Sequence, residues 1–307
     1  MTETNRGLYQ KHRPKTLKEV LGQPEAVNTI RKHLQAKTVP HAILFTGPSG
    51  CGKTTLARIL RRALDCGDAD FVEENAARHR GIDMVRSIGQ RVGLSPLVGT
   101  TRVWLIDEVA QLTPAAQDCF LKLLEDPPGH VYFMLATTDP QKLKNTILTR
   151  CEEIRVKALS VKAVEQLVME VAGKEEIELH EDVIDKIVEI AEGSARKALV
   201  LLSQVIGEDD REKQLRMLER GSSKQQAFQL CKVLLQGGGW GGAAKILKAI
   251  DDDPENIRYM VLGYMRKVLL GGGEQAPRAA DVIDLFRDNF YDSKHAGLAL
   301  TCWELLK

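Results

Sequence analysis

Short strand-like runs alternate with amphipathic stretches through the first half of the chain. The strand-like runs cover 42–45, 71–74, 103–106, 131–136 and 153–156. In the stretches between them, apolar residues recur three or four positions apart, which is the spacing of a helix face. Strands that alternate with helices predict an α/β fold with a five-stranded parallel sheet and a ligand site at the carboxyl ends of the strands.

The pattern becomes all-helical from Ser160 onward. Ser160 is a favourable N-cap for a first helix, and a second helix is predicted to end at Gly193. Ser194 is then placed to cap a third helix. We therefore predict a sheet-containing core over residues 1–158 and a helical lid over residues 159–210.

A charged segment at 207–213 separates the lid from the last region. Helical patterns continue there over 224–235, 241–250, 254–270 and 278–290, with a final helix from about Ser293. Glycine runs at 237–239 and 271–273 interrupt these patterns. Residues 211–307 contain no recognisable catalytic group, and their helical patterns predict an all-α domain whose role is packing.

A glycine-rich segment between the first strand and the following helix has the sequence of a phosphate-binding loop. Glycine lets backbone N–H groups point at phosphate oxygens, and the helix adds the positive end of its dipole. Lys53 is predicted to reach the β- and γ-phosphates and the Thr54 hydroxyl to hold Mg²⁺. Cys51 occupies a variable position of the motif and is interpreted as incidental. The loop residues predicted to bind nucleotide are Gly47, Pro48, Ser49, Gly50, Cys51, Gly52, Lys53, Thr54 and Thr55.

Polar residues at two later strand ends and one helix start extend this chemistry. Asp107 and Glu108 follow an apolar run; in P-loop ATPases the first acid holds Mg²⁺ and the second polarises the attacking water. Thr138 has two interpretations, a sensor of the γ-phosphate or a residue that caps its strand. Arg196 lies in the first turn of a predicted helix, where a cation is unfavourable, so we expect it to have an anionic partner.

Composition and charge exclude several classes of protein. The 307 residues are 43% hydrophobic and 28% charged, which is typical of a globular protein. The formal net charge is +1, so a nucleic-acid surface must be a local patch. One basic cluster, formed by Arg78, Arg80, Arg86 and Arg91, fits either a solvated helix face or nucleic-acid contact.

Targeting signals and metal-binding cysteine pairs are not recognisable. No apolar stretch is long enough to span a membrane, and the N-terminus has no signal-peptide character. Six cysteines are scattered singly, which suggests neither a disulfide framework nor a zinc site. We therefore expect an intracellular protein that is not secreted and has no membrane partner. It would be cytoplasmic in a bacterial or phage-infected cell, or nuclear in a eukaryote.

Residues 8–206 resemble the ATPase subunits of sliding-clamp loaders, which belong to the AAA+ class. Segments 11–17 (KHRPKTL) and 20–23 (VLGQ) are similar to the start of replication factor C small subunits and of the bacterial DNA polymerase III gamma/tau subunit. Segments 121–128 (LKLLEDPP) and 136–143 (ATTDPQKL) resemble the bacterial branch, whereas 75–82 (NAARHRGI) resembles replication factor C. This mixture and the short length are typical of an archaeal-type loader or a bacteriophage clamp-loader large subunit.

The resemblance implies roles for individual residues of the ATPase site. Lys53, Thr54 and Asp107 would bind nucleotide and Mg²⁺, and Glu108 would be the catalytic base. Thr138 matches the sensor 1 position, and Arg196 matches the sensor 2 arginine that reaches the nucleotide of its own subunit. Arg150 matches an arginine that is supplied in trans to the neighbouring subunit's γ-phosphate. The residues that match the lining of the adenine pocket are Leu8, Arg13, Pro14, Leu21 and Gly22.

The family also implies contacts with DNA and with the clamp. Arg80 matches a position that links DNA contact to the catalytic glutamate, and Arg86, Gln90 and Arg91 lie on the helix that follows template phosphates. Leu94 and Leu97, beyond the end of that helix, are where clamp contact would fall. The bacterial zinc-binding cysteine insertion is missing, so no zinc is expected. Thr149 replaces the usual serine before the trans arginine but keeps the hydroxyl.

The resemblance implies an ATP- and Mg²⁺-dependent motor subunit that opens a ring-shaped sliding clamp and loads it on primer–template DNA. It also implies that residues 211–307 form a helical collar and oligomerisation domain. The partners of the subunit would be the clamp, the DNA and other loader subunits in a pentameric assembly. Two alternatives remain: a DNA-translocating AAA+ motor of the branch-migration type, and a non-catalytic scaffold subunit of a loader. A winged-helix tail would favour the first, whereas intact Lys53, Glu108 and Arg150 argue against the second.

Overall fold

The computed structural model describes residues 7–79, 81–220, 223–250 and 252–307. Contacts divide the chain into two compact units, Met1–Gly207 and Glu208–Lys307. The helices and strands of the first unit, in chain order, are α1 (Leu8–Lys11), α2 (Pro24–Ala36), β1 (Ala42–Thr46), α3 (Lys53–Ala63), β2 (Phe71–Asn75), α4 (Ile82–Arg91), β3 (Arg102–Asp107), α5 (Pro114–Glu125), β4 (Val131–Thr137), α6 (Asn145–Leu148), β5 (Glu152–Arg155), α7 (Val161–Lys174), α8 (Glu181–Ala191) and α9 (Ala195–Val205).

The five strands form one parallel sheet, as the alternation of strands and helices predicts. The strand order is β2-β3-β4-β1-β5, so β1 is paired on both sides. Ala42 lies opposite Phe133 of β4, and Ile43 lies opposite Glu152 of β5. The carboxyl ends of β1, β3 and β4 therefore meet at one edge of the sheet.

Both faces of the sheet are buried, which explains why its central strands are continuously apolar. Leu44 of β1 points to the face that packs against Phe120 of α5. Ile43 and Phe45 point to the opposite face, where they pack with Leu56 of α3. The helix layers on the two faces hold the phosphate-binding loop between a fully buried strand and a fixed helix.

The helix after β3 begins two residues later than its apolar pattern predicts. The periodicity suggests a start at Leu112, but α5 begins at Pro114. Thr113 is the N-cap, since its side chain accepts a hydrogen bond from the backbone N–H of Ala116. Proline is favoured at the first helical position because its missing N–H would have no partner there.

Three helices, α7 to α9, follow β5 as a helical lid. The predicted caps are confirmed, because Ser160 Oγ accepts from Ala163 N and Ser194 Oγ accepts from Lys197 N, each at 3.3 Å. The boundaries of core, lid and collar at residues 158 and 210 stay predictions.

The second unit contains helices throughout its described part. They are α10 (Arg211–Arg220), α11 (Ser223–Gln236), α12 (Trp240–Ala249), α13 (Pro254–Gly271), α14 (Ala276–Leu285) and α15 (Lys294–Leu306). The sequence pattern misses α10, which lies partly in the charged segment. Its polar surface includes an Arg216–Glu212 ion pair at 2.8 Å, while Leu218 is buried. None of the helices over the described ranges is both long and apolar enough to cross a membrane.

Candidate active site

The phosphate-binding loop leaves β1 and enters α3 through backbone conformations that require glycine. Gly47 has φ 139° and Gly50 has φ 74°. A Cβ on Gly47 would lie 1.9 Å from the Val156 carbonyl oxygen, and a Cβ on Gly50 would lie 2.2 Å from Ser194 Oγ. Both residues are therefore fixed as glycine by close approach as well as by conformation.

The loop is also joined directly to the lid. The backbone N–H of Arg196 donates to the Gly50 carbonyl at 3.2 Å. Cys51 is buried, and its thiol donates to the Gly193 carbonyl at 3.5 Å. Burial raises the pKa of this thiol. The sequence alone suggests that Cys51 is incidental. In the structure its thiol joins the phosphate-binding loop to the lid through the hydrogen bond to Gly193.

Lys53 begins α3, and its side chain is 6% exposed. Its Nζ donates to the carbonyl oxygens of Gly47 and Pro48, at 2.8 and 2.9 Å. Burial lowers the pKa of Lys53, and the nearby carboxylates of Glu108 and Asp107 act in the opposite direction. The ammonium is thus held inside the loop, at the position where phosphate oxygens would be bound.

The acids at the end of β3 face the start of α3. Thr54 Oγ1 donates to Asp107 Oδ2 at 3.2 Å, and the backbone N–H of Glu108 donates to Asp107 Oδ1 at 3.0 Å. A hydroxyl and a carboxylate at this distance fit Mg²⁺, which prefers hard oxygen ligands. The predicted metal-binding pair is therefore brought together.

Glu108 combines a strained backbone conformation with a raised carboxyl pKa. Its φ of 53° is in the left-handed region, which is strained for a residue with a side chain. Burial raises the pKa of its carboxyl group, and the negative charge of Asp107 raises it further. Asp139, just beyond β4, also raises this pKa. A raised pKa brings a carboxylate closer to the basicity that suits a general base.

These groups line one cleft, with about 990 Å³ of empty space that opens to solvent. Of the predicted residues it contains Arg13, Pro14, Leu21, Ser49, Gly50, Cys51, Gly52, Lys53, Thr54, Thr55, Asp107, Glu108 and Arg196. Residues of the lining that the sequence did not indicate are Tyr9, His12, Glu19, Val20, Leu159, Leu167, Ala195 and Leu199.

Some predicted pocket residues lie beside the cleft. Leu8, the first residue of α1, is buried, and Gly22 packs against Leu159, which itself lines the cleft. Thr138 follows β4 and is partly buried. Since Thr137 lies opposite Thr46 at the end of β1, Thr138 is close to the start of the phosphate-binding loop.

Two arginines line the cleft on the side of the lid. Burial lowers the pKa of Arg13, and the positive charges of Arg58 and Arg196 lower it further. The guanidinium of Arg196 lies over the Tyr9 ring, 5.8 Å from its centroid. Concentrated positive charge at a partly buried wall favours an anionic ligand.

Arg150 lies away from the cleft of its own chain. It is exposed at the end of α6, and its Nη2 donates to Glu125 Oε1 at 2.6 Å. Its Nη1 donates to the Thr146 carbonyl at 2.9 Å. The arginine is therefore oriented at the surface, where another molecule can reach it.

The predicted DNA-contacting residues share the exposed surface of α4. Arg86 pairs with Asp83 at 3.5 Å, Gln90 is exposed, and the Arg91 guanidinium lies 5.1 Å from the Trp104 ring centroid. Arg80 falls outside the described residues.

The loop after α4 exposes apolar side chains on a rigid support. Leu94 is 56% and Leu97 is 77% exposed. Asp70, fully buried, accepts hydrogen bonds from the backbone N–H groups of Leu97 and Val98, each at 2.7 Å. Arg102 donates to the same Asp70 carboxylate at 2.7 Å. The sequence missed this buried pair because Asp70 lies in a polar segment typical of a surface turn.

Comparison with known proteins adds family evidence. A family model described as DNA polymerase III, delta subunit, matches residues 68–160, and one described as Rad17 P-loop domain matches residues 1–78. The chain is 34% identical over 220 residues to DNA polymerase III subunit tau of Bacillus subtilis, which is 65% of this chain and 39% of that protein. It is 29% identical over 304 residues to the gamma/tau subunit of Mycobacterium tuberculosis, which is 92% of this chain and 50% of that protein.

The chain spans half or less of the length of these relatives. Among solved structures, the Holliday junction branch migration motor RuvB of Thermotoga maritima has a TM-score of 0.58, covering 77% of this chain and 85% of that chain at 20% identity. At that identity the likeness shows the fold alone. The family model of the DNA polymerase III delta subunit and these curated relatives show that the chain is similar to subunits of DNA polymerase III, over 92% of its length for the gamma/tau subunit of Mycobacterium tuberculosis.

Proposed function

We propose that this protein is an ATP-dependent motor subunit of a DNA-replication clamp loader, which opens a sliding clamp and loads it on primer–template DNA. The observation that carries the proposal is that Lys53, Thr54, Asp107 and Glu108 share one cleft in a chain related to the gamma/tau subunits. A scaffold subunit has no need of this complete set.

ATP hydrolysis in this cleft would use the groups already described. The phosphate-binding loop and the start of α3 would hold the β- and γ-phosphates, with Lys53 neutralising their charge. Thr54 and Asp107 would hold Mg²⁺, which supplies charge stabilisation to the transferred phosphoryl group. Glu108 would orient the attacking water and draw a proton from it. Thr138 would sense the γ-phosphate from the end of β4, and Arg196 would contact the nucleotide from the lid.

The exposed position of Arg150 supports an active site shared between subunits. An arginine that lies outside its own cleft can stabilise transition-state charge only in a neighbour. ATP between subunits would then hold the assembly in the state that grips the clamp, and ADP would release it.

Contacts with DNA and clamp are proposed on one side of the first unit. Arg86, Gln90 and Arg91 would follow template phosphates, as would Arg80, so DNA binding would depend on salt more than on base sequence. Leu94 and Leu97 would dock on the clamp. The alternative of a translocating motor has less support, because the described part of residues 208–307 is helical and has no winged-helix hairpin.

The first experiment is steady-state ATP hydrolysis by the assembled loader with and without primer–template DNA and the matching clamp. We expect synergistic stimulation by both, and Arg150→Ala should reduce the stimulated rate about 10³-fold because the trans arginine is lost. Arg155→Ala, an exposed arginine on β5, is the matched control and should keep the stimulation. Hydrolysis that ignores the clamp but responds to long or branched DNA would favour the translocating motor.

Clamp binding should depend on Leu97. Leu97→Ser removes an apolar side chain that is 77% exposed, so the fold should be unaffected. Burying a leucine at an interface contributes about 1.5–3 kcal/mol, and we expect clamp affinity to fall about 10- to 100-fold. Val161→Ser, 69% exposed at the start of α7, is the control. Equal clamp affinity for the Leu97 variant and the unmodified protein, measured by titration with labelled clamp in the presence of ATP, would contradict this contact.

A further inference from the structure

The short helix α1 and the residues after it form one wall of the cleft. Tyr9, His12, Arg13 and Pro14 all line the empty space. A four-residue helix has almost no stability of its own, because helix nucleation is costly and few hydrogen bonds follow it. The position of this wall must therefore come from contacts with the rest of the first unit.

A single carboxylate on the lid provides two of those contacts. Glu175, at the end of α7, accepts a hydrogen bond from Lys11 Nζ at 2.8 Å through Oε2, and Lys11 Nζ is also 2.7 Å from Oε1. His12 Nε2 is hydrogen-bonded to Oε1 of the same carboxylate. Because an ionised carboxylate only accepts hydrogen bonds, His12 must donate from Nε2.

These contacts are shielded from solvent to different degrees. The side chains of His12 and Glu175 are 11% and 17% exposed, whereas that of Lys11 is 53% exposed. The hydrogen bonds from Lys11 and His12 lower the pKa of Glu175 against the effect of its burial. The Glu175 carboxylate is thus ionised at neutral pH, and it is hydrogen-bonded to the nearly buried imidazole of His12, which lines the cleft.

The same segment contacts the lid at a second helix. The Tyr9 ring lies under the guanidinium of Arg196 near the start of α9. Arg196 is the lid arginine that lines the cleft, and its backbone N–H is bonded to the phosphate-binding loop. Tyr9, His12 and Arg196 are therefore connected through side chains of the lid and of segment 8–14.

We propose that Glu175, which lies outside the cleft lining, is a positioning residue for nucleotide binding that fixes segment 8–14 to the lid, so that this wall and Arg196 move as one body. The proposal rests on the proposed function only in taking nucleotide as the ligand of this cleft. Without the Glu175 charge, segment 8–14 would occupy other positions, and the binding-competent fraction would fall. Apparent affinity falls in proportion to that fraction.

The test is Glu175→Gln in the full chain, with a fluorescent ADP analogue as the probe and direct titration as the measurement. We expect the dissociation constant to rise about 5- to 30-fold, while kcat at saturating ATP stays within about two-fold because the catalytic groups are unchanged. Glu176→Gln is the matched control, since it makes the same chemical change at the next, exposed residue. It should leave both quantities unchanged.

A second variant tests whether Glu175 acts through Lys11. Lys11→Met should weaken ADP binding by itself, and its effect should be strongly non-additive with that of Glu175→Gln. A merely structural role would lower the urea midpoint of Glu175→Gln without changing its affinity at 25 °C. That result, or additive effects of the two variants, would overturn the inference.

The two proposals can fail separately. If the unmodified chain binds the ADP analogue and Glu175→Gln binds it equally well, the positioning role is wrong and the proposed function stands. If the unmodified chain binds no nucleotide, the proposed function is wrong and the inference falls with it.

Discussion

Replacing Glu108 with glutamine will reduce ATP hydrolysis by about 10²- to 10⁴-fold while nucleotide binding is retained. Glutamine has nearly the same shape but cannot accept a proton from water. Lys53, Thr54 and Asp107, which lie in the same cleft, are unchanged in this variant. Single-turnover hydrolysis in the assembled loader, measured beside ADP-analogue affinity, separates the chemical step from binding. Full DNA-stimulated hydrolysis by the glutamine variant would refute the assignment of the base.

The pH dependence of hydrolysis provides a control for this assignment. Glu108 must be deprotonated to act as a base, and its pKa is raised by burial and then by Asp107. The acid limb of the kcat/KM profile, which reports the enzyme before MgATP binds, should therefore lie above the ordinary range for glutamate. Asp139 also raises this pKa, so Asp139→Asn should keep hydrolysis and move the acid limb to lower pH. An acid limb that does not move would show that another group controls it.

Replacing Asp70 with asparagine will destabilise the first unit by about 3–5 kcal/mol, because it leaves the nearly buried Arg102 without its counter-charge. Such a loss is a large fraction of the stability of an ordinary domain. The variant also weakens the support of the loop that carries Leu97. Urea unfolding followed by circular dichroism measures the effect. Asp83→Asn is the control, because Asp83 is 91% exposed and its ion-pair partner Arg86 is 63% exposed. Comparable midpoints for the two variants would contradict the proposed importance of the buried pair.

The same pair predicts a difference at low pH. Burial alone would raise the pKa of Asp70, but the hydrogen bonds from Arg102, Val98 and Leu97 outweigh it, and the pKa is lowered. A lowered pKa stabilises the fold above the pKa of the unfolded chain, and this contribution is lost as the pH falls through the folded value. The difference in free energy of unfolding between the unmodified protein and Asp70→Asn should therefore become smaller as the pH is lowered.

Local sequence was sufficient to predict the strands and to place the polar residues at their ends. A continuous apolar run needs only its own composition to be recognised, and the loop motif fixes the positions of Lys53 and Thr54. The strand order was not predictable in this way, because register depends on contacts between distant segments. The start of α5 was misplaced because Thr113 and Pro114 determine the cap more strongly than the apolar period does.

Residues whose roles depend on partners far along the chain were missed. Glu175 lies more than 160 residues from Lys11, and nothing in either segment indicates the other. Asp70 and Arg102 are buried although their types are usually exposed. Cys51 occupies a position that the loop motif leaves free, and only the fold reveals its neighbour Gly193.

The central place of β1 in the sheet has a consequence for synthesis of the protein on the ribosome. Both neighbours of β1, β4 and β5, are made later, whereas β2 and β3 pair with strands other than β1. At about 5–20 residues per second, the segment between Thr46 and Val131 takes on the order of 4–17 s to translate. During that interval β1 is an apolar strand with two unpaired edges, which is a target for aggregation and for chaperones. The phosphate-binding loop of the nascent chain can therefore take up its folded conformation only after β4 and β5 have been synthesised.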